Sequence, residues 1–151
     1  GLIYSTEVED RGQKYGYHLI ARAEMAPPPT VSATMRTAAS QPLLHVSALH
    51  LADDKPYALE DRWINQHMVP TSTTESYETL SANEWLLMHT PYTHGEISFS
   101  ATSATPQEAQ FMGCKAGAAV FVIDRLTWDG ASSITKVRLL YTPGHQLRTQ
   151  I

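Results

Sequence analysis

Alternating apolar and polar positions predict a series of β-strands along this chain. Two adjacent runs, 42–53 and 55–65, are separated only by a turn centred on Asp53 and Asp54, which indicates an antiparallel hairpin. A second hairpin is predicted where Asp129-Gly130 joins two further runs. The six predicted strands are 15–23, 42–53, 55–65, 96–104, 118–128 and 133–141.

Helices are predicted between these strands from their end signals. After the prolines at 27–29, a short helix is expected from a Thr30 cap to about residue 39. A second covers 82–90 behind the N-cap candidate Ser81, and 66–81 is a loop with one helical turn. The strongest signal is 105–113, with a Thr105–Glu108 capping box, Pro106 at the first position and Gly113 at the end. The pattern predicts an α+β domain on an antiparallel sheet of about six strands with short helices.

The strand 55–65 carries an unusual pair of charges. Because side chains alternate between the two faces of a strand, Glu60 and Arg62 lie on one face, and Leu59, Asp61 and Trp63 lie on the other. From the residues alone a surface ion pair is the favoured interpretation, since exposed pairs are common.

Composition excludes several classes of function. The length of 151 residues fits one domain, and the net charge of −4 with scattered basic residues argues against a grip on nucleic-acid phosphates. One cysteine, Cys114, suits a reducing cytoplasm, and neither a membrane-spanning run nor a signal peptide is recognisable. The histidines lack metal-binding spacing, and no nucleotide-binding glycine motif occurs, so no metal or other cofactor is expected.

Four stretches in succession resemble the UTRA domain, the effector-binding half of the HutC branch of GntR-type transcription regulators. They are LHLADDKPYALEDRWIN, SANEWLLM, EISFSATSATPQEAQFMGCKAGAAVFVIDRLTWDG and ITKVRLLYTPGHQLR. The wording of PYALEDRWIN, RLTWDG and LLYTPGHQLR is nearest to the repressors of histidine utilisation within that branch. The resemblance covers nearly the whole chain, so residues 1–151 are interpreted as one UTRA domain.

The resemblance implies a chorismate-lyase-like fold, a homodimer and a small-molecule effector pocket at the sheet. Family members carry an N-terminal winged-helix DNA-binding domain, and nothing before residue 15 could hold one. The chain is therefore expected to sense an effector, and to reach operator DNA only through that missing domain.

The resemblance also turns the charged face of strand 55–65 inward, because the matching glutamate of UTRA domains points into the effector cavity. Glu60 is thus the leading effector-binding candidate, with Arg62 beside it. His50, together with Ala48, stands where sugar-phosphate-binding relatives carry phosphate-clamping arginines, which argues against a phosphorylated effector. The alternative for His50 is a structural role, in which its ring nitrogens form hydrogen bonds inside the sheet.

Further candidates surround the predicted helix 82–90. Ser81 and Asn83, with the free N–H groups of the first turn, form an anion-site candidate. Trp85 could stack on a planar ligand, although core packing explains it equally well. Tyr92 is a weaker candidate for the pocket wall, and Thr135 matches a position that is glutamate in some sugar-binding relatives. Arg125 is interpreted as structural and paired with a carboxylate.

The predicted function is that of a sensor domain in a repressor of histidine utilisation, with urocanate or a related small acid as effector. Urocanate is flat, with an imidazole at one end and a carboxylate at the other, so Glu60 and Arg62 suit its two ends. One alternative is a related regulator that senses another metabolite, such as a sugar phosphate. A chorismate-lyase-like enzyme is the less favoured alternative, because no catalytic triad or reactive cysteine setting is visible.

Overall fold

A computed structural model describes residues 4–151 of the chain. The strands are β1 (Tyr15–Met25), β2 (Leu43–Ala52), β3 (Lys55–Ile64), β4 (His94–Ser103), β5 (Ala119–Asp129) and β6 (Ser132–Tyr141). The helices are α1 (Tyr4–Glu9), α2 (Pro29–Met35), α3 (Ala82–His89) and α4 (Pro106–Met112), with a 3-10 turn at Pro70–Thr74.

The strands form one antiparallel sheet in the order β1-β2-β3-β6-β5-β4. Hairpins join β2 to β3 and β5 to β6, as the turn residues predict, and β3 pairs with β6 at the centre. The predicted α+β architecture with six antiparallel strands is confirmed.

The β2–β3 turn fixes the register of the central strands. Asp53 and Asp54 both adopt left-handed backbone conformations, with φ of 50° and 63°, as a two-residue turn with right-handed strand twist requires. The Asp53 carboxylate also accepts a hydrogen bond from the Lys14 N–H at 2.8 Å. The resulting register places Ala48 opposite Glu60 and Val46 opposite Arg62.

Helices cover both faces of the sheet. On the face that carries Ala58 and Ile64, α1 packs near β3 and β6, and α3 packs near β2 and β3. On the face that carries Leu59 and Trp63, α4 and α2 supply the covering side chains. From Tyr57 onward, most of β3 is consequently buried on both sides, so a buried charge there must be paired within the protein.

Helix ends follow the sequence signals in two of three cases. The Thr105–Glu108 capping box and the Gly113 stop of α4 are present, and the Ser81 hydroxyl caps α3 by accepting from the Glu84 N–H at 3.2 Å. The prediction for the helix after the prolines is wrong at both ends. Pro29 itself is the first residue, because its fixed φ suits that position, and Arg36 ends the helix in a left-handed conformation.

Two further differences concern the first two elements of the chain. β1 continues to Met25, two residues beyond the predicted end, and α1 was not predicted at all. Within residues 4–151, no helix is long and apolar enough to span a membrane.

The strand β4 forms one edge of the sheet and is exposed along almost its whole length. Ile97 and Phe99, which share one face of β4, are 49% and 52% exposed. Thus β4 presents an apolar stripe beside a row of backbone groups that lack a neighbouring strand in the described chain.

Candidate functional site

A cavity of about 240 Å³ lies between α3 and the sheet, at the end where β4, β5 and β6 meet the loop after α3. This volume is at the small end for ligand sites and suits a small metabolite. The wall combines polar and charged groups with aliphatic side chains: Arg62, Asn83, Leu86, Leu87, Thr90, Tyr92, Gly95, Glu96, Ile97, Arg125, Thr127, Ile134 and Thr135.

The charged pair on β3 faces inward, as the resemblance implies, and not toward water. Glu60 and Arg62 are each 1% exposed, and the Arg62 Nε donates to Oε2 of Glu60 at 2.8 Å. The Arg62 guanidinium continues into the cavity wall, where Nη1 donates to Oγ1 of Thr135 at 3.2 Å. Arg62 therefore joins a buried carboxylate to the cavity.

Behind Arg62 the polar contacts continue across the sheet to β1. The second carboxylate oxygen of Glu60 contacts Nε2 of His50 at 2.8 Å, and Nδ1 of His50 contacts the Tyr15 hydroxyl at 2.8 Å. Burial would raise the pKa of Glu60, but the Arg62 guanidinium and the His50 contact outweigh it and lower the pKa to about 2. An ionised Glu60 only accepts hydrogen bonds, so Nε2 of His50 is the donor in their contact.

Asn83, the second residue of α3, connects the two arginines of the cavity. Its Oδ1 accepts from Nη2 of Arg125 at 2.7 Å and from Nη2 of Arg62 at 3.4 Å. The Ser81 cap sets where α3 begins and so places Asn83 over the sheet. Arg125 was expected to pair with a carboxylate, yet among the described residues its hydrogen-bond acceptor is this amide oxygen.

The structure brings half of the predicted site residues to the cavity. Arg62, Asn83, Tyr92 and Thr135 line it. Thr135 also donates to the backbone carbonyl of Trp63 at 2.8 Å, and Tyr92 is 54% exposed at the mouth.

The other four predicted residues lie away from the cavity wall. Glu60 and His50 are buried behind Arg62, and Ser81 serves as the helix cap. Trp85 is 4% exposed in the core, where it stacks on His89 with ring centroids 4.4 Å apart. Of the two interpretations of Trp85, core packing is the one that the geometry supports.

Sequence reasoning missed Arg125 and Ile97 as cavity residues. The two are register partners on β5 and β4, and Arg125 is also opposite Val137, which is opposite Arg62. Arg62 and Arg125 thus share one sheet face with a single strand between them. The alternation of side chains within each strand can be read from the sequence. The order of the strands, which places Arg62, Arg125 and Ile97 side by side, cannot.

Comparison with known proteins identifies the family of this fold. The family model of the UTRA domain matches residues 10–148. The chain belongs to the UTRA domain family.

Its curated relatives are repressors of histidine utilisation. The chain is 26% identical over 144 residues to the histidine utilization repressor of Pseudomonas aeruginosa, a match that covers 95% of the chain and 57% of that protein. It is 30% identical over 108 residues to the histidine utilization repressor of Klebsiella aerogenes, which covers 72% of the chain and 44% of that protein. The chain thus spans about half the length of the curated relatives it matches.

Solved structures share the fold. The C-terminal domain of the histidine utilization repressor from Pseudomonas syringae pv. tomato superposes with a TM-score of 0.84 at 24% identity, covering 91% of this chain and 99% of that one. PhnF from Mycobacterium smegmatis superposes with a TM-score of 0.86 at 17% identity, covering all of this chain and 68% of that one.

Proposed function

We propose that the chain is the effector-sensing domain of a transcriptional repressor of histidine utilisation, and that it binds urocanate or a related small acid. The observation that carries the proposal is the cavity beneath α3, where guanidinium and amide groups stand beside aliphatic walls. The names of the curated relatives support the regulatory role, which is that of a sensor and not of an enzyme.

A flat acid suits the distribution of groups in the cavity. Its carboxylate would meet the donors of Arg62 and the α3 start near Asn83, and its ring would lie against Leu86, Ile97 and Tyr92. Both carboxylate oxygens of Glu60 are already engaged by Arg62 and His50. Glu60 is also only 1% exposed and lies behind Arg62, outside the cavity wall. A direct bond from Glu60 to a ligand imidazole, which the sequence predicts, therefore requires the side chains that cover Glu60 to move.

The N-terminal helix offers a route from the cavity to an attached DNA-binding domain. The Ser5 hydroxyl of α1 donates to Oε1 of Glu84 on the cavity helix α3 at 3.0 Å. The Tyr4 ring lies 4.2 Å from the ring of His50, between centroids. A ligand that shifts α3 or Arg62 would thus disturb α1, and a winged-helix domain attached before α1 would lose its operator geometry.

The proposal includes a homodimer that meets operator DNA only through such N-terminal domains, within the cytoplasm. The apolar edge strand β4 is the contact that we assign to the second copy. Antiparallel pairing of β4 with its own symmetry mate would satisfy the free backbone groups and bring Ile97 and Phe99 beside apolar side chains of the second copy.

A thermal-shift experiment tests the effector. Millimolar urocanate is expected to raise the melting temperature of the chain, because a ligand that binds only the folded state stabilises it by mass action. Glucosamine 6-phosphate and other sugar phosphates are expected to give no increase. An increase in melting temperature with a sugar phosphate and none with urocanate would show that the effector is a sugar phosphate. No increase with any metabolite acid or sugar phosphate would refute the proposal.

A further inference from the structure

Among the described residues, Arg125 forms no ion pair with a carboxylate within 4 Å. It lies on β5, on the same sheet face as Arg62 and two strands away from it, a separation of roughly 10 Å between backbones. Both guanidinium groups line the cavity. Arg62 is paired with Glu60 at 2.8 Å, whereas the acceptor for Arg125 is the neutral amide of Asn83.

Nearby carboxylates are committed elsewhere. Asp124 precedes Arg125 but is opposite Arg138 on the other sheet face, and the two form an ion pair at 3.5 Å. Glu84 accepts from the Ser5 hydroxyl, and Glu96, though part of the cavity wall, has no ion pair with Arg125 within 4 Å. Glu96 is exposed to water at the cavity rim. The charged groups at the cavity that are shielded from water, namely Arg62, Arg125 and Glu60, therefore sum to one net positive charge.

Arg125 also has an unused donor. Its Nε is buried and has no hydrogen-bond acceptor among residues 4–151. A buried donor without an acceptor destabilises the folded state, and the loss is recovered when an acceptor arrives. A carboxylate oxygen is the acceptor that matches the planar edge of a guanidinium best.

We propose that Arg125, together with Arg62, binds the carboxylate of the effector and restricts the cavity to small acids with a single negative charge. This inference rests on the proposed sensing function and names the residue that determines its specificity. A monoanion balances the one excess charge, whereas a phosphate near two negative charges leaves an unpaired charge in a partly buried site. The aliphatic wall of Leu86 and Ile134 suits the uncharged body of such a ligand.

The test compares the acid with a neutral analogue in matched variants. Calorimetric titration uses urocanate and urocanate methyl ester against the unmodified chain, Arg125→Gln, Arg125→Lys and the control Arg138→Gln. Arg138→Gln removes one positive charge, as Arg125→Gln does, but from the adjacent strand and the opposite sheet face. Removal of a charged hydrogen-bond partner is expected to weaken urocanate binding by about 10- to 100-fold in Arg125→Gln, with partial rescue in Arg125→Lys. Arg138→Gln is expected to bind like the unmodified chain, and the ester is expected to bind weakly throughout.

The side-chain Nε–H resonances of ¹⁵N-labelled arginine give a second readout, in which binding itself is measured on the unmodified chain. The Arg125 signal, assigned by its loss in Arg125→Lys, is expected to move when urocanate binds. Equal binding of acid and ester, or an unmoved Arg125 signal at saturation, would overturn this inference while leaving the sensor function intact. Failure of urocanate and of every other monocarboxylate tested to bind the unmodified chain would overturn both.

Discussion

Arg62 donates from Nε to the Glu60 carboxylate at 2.8 Å, although each residue is only 1% exposed. The two charges lie two positions apart on one strand. Glu60 contacts His50, on the side toward β1, and Arg62 lines the cavity. A charge pair this deep is stable only while both members are present, since each alone would be a buried, unbalanced ion.

Loss of the Glu60 charge is therefore expected to destabilise the fold strongly. Glu60→Gln should lower the free energy of unfolding by about 3–5 kcal/mol, measured by urea denaturation. The double variant Glu60→Leu/Arg62→Met should recover much of this loss, because it leaves no buried charge. As a control, Asp124→Asn breaks the half-exposed pair with Arg138 and should cost at most about 1 kcal/mol. A cost of Glu60→Gln as small as that of Asp124→Asn would contradict the prediction.

The same pair predicts an acid-sensitive stability. The pKa of Glu60 is lowered to about 2 in the folded chain, against an ordinary value of 4.5. A lowered folded-state pKa contributes stability that is present above pH 4.5 and is lost as the pH falls from 4.5 toward 2. Urea denaturation at pH 5, 4 and 3 should thus show a steeper loss in the unmodified chain than in the Glu60→Leu/Arg62→Met variant. Parallel pH profiles for the two proteins would show that Glu60 is not the group responsible.

Substitution of Trp85 is expected to affect mainly stability, and substitution of Tyr92 mainly ligand binding. Trp85 is buried beside His89, so Trp85→Ala should lower the free energy of unfolding by about 3–5 kcal/mol. Tyr92 is half exposed at the cavity mouth, so Tyr92→Ala should change stability by no more than about 0.5 kcal/mol while weakening urocanate binding. Denaturation and calorimetry on both variants check this, and unchanged binding in Tyr92→Ala would exclude Tyr92 from the ligand site.

The assignment of β4 as the dimer contact predicts a change in oligomeric state. Phe99→Lys places a charge in the centre of the apolar stripe and should convert a dimer into a monomer in sedimentation velocity. Leu147→Lys, a similar change at an exposed apolar residue of the C-terminal segment, should leave the dimer intact. A dimer that persists in Phe99→Lys would place the contact elsewhere on the molecule.

Local patterns in the sequence were sufficient for much of the fold. Period-two alternation placed Glu60 and Arg62 on one face, and the Thr105 and Ser81 caps set two helix starts, because these features depend on residues close in sequence. The helix near residue 30 was misplaced because three successive prolines permit more than one start, and the packing of the helix decides among them.

The candidate site was predicted less completely, because it depends on contacts between distant segments. Arg125 meets Asn83 and shares a face with Arg62 only through the pairing of β3, β6 and β5. Trp85 and Asn83 are two positions apart on α3, yet one enters the core and the other the cavity, which only the docking of the helix determines. Nor does alternation distinguish the exposed edge strand β4 from a central strand.

Ile97 belongs both to the cavity wall and to the exposed stripe of β4. Whatever covers this stripe also borders the space that a ligand would fill, so the two binding events act on one shared side chain. If association of two chains alters ligand affinity by some factor, the ligand must alter association by the same factor. Apparent affinity for a ligand would then depend on protein concentration, and titrations at several chain concentrations would measure that coupling directly.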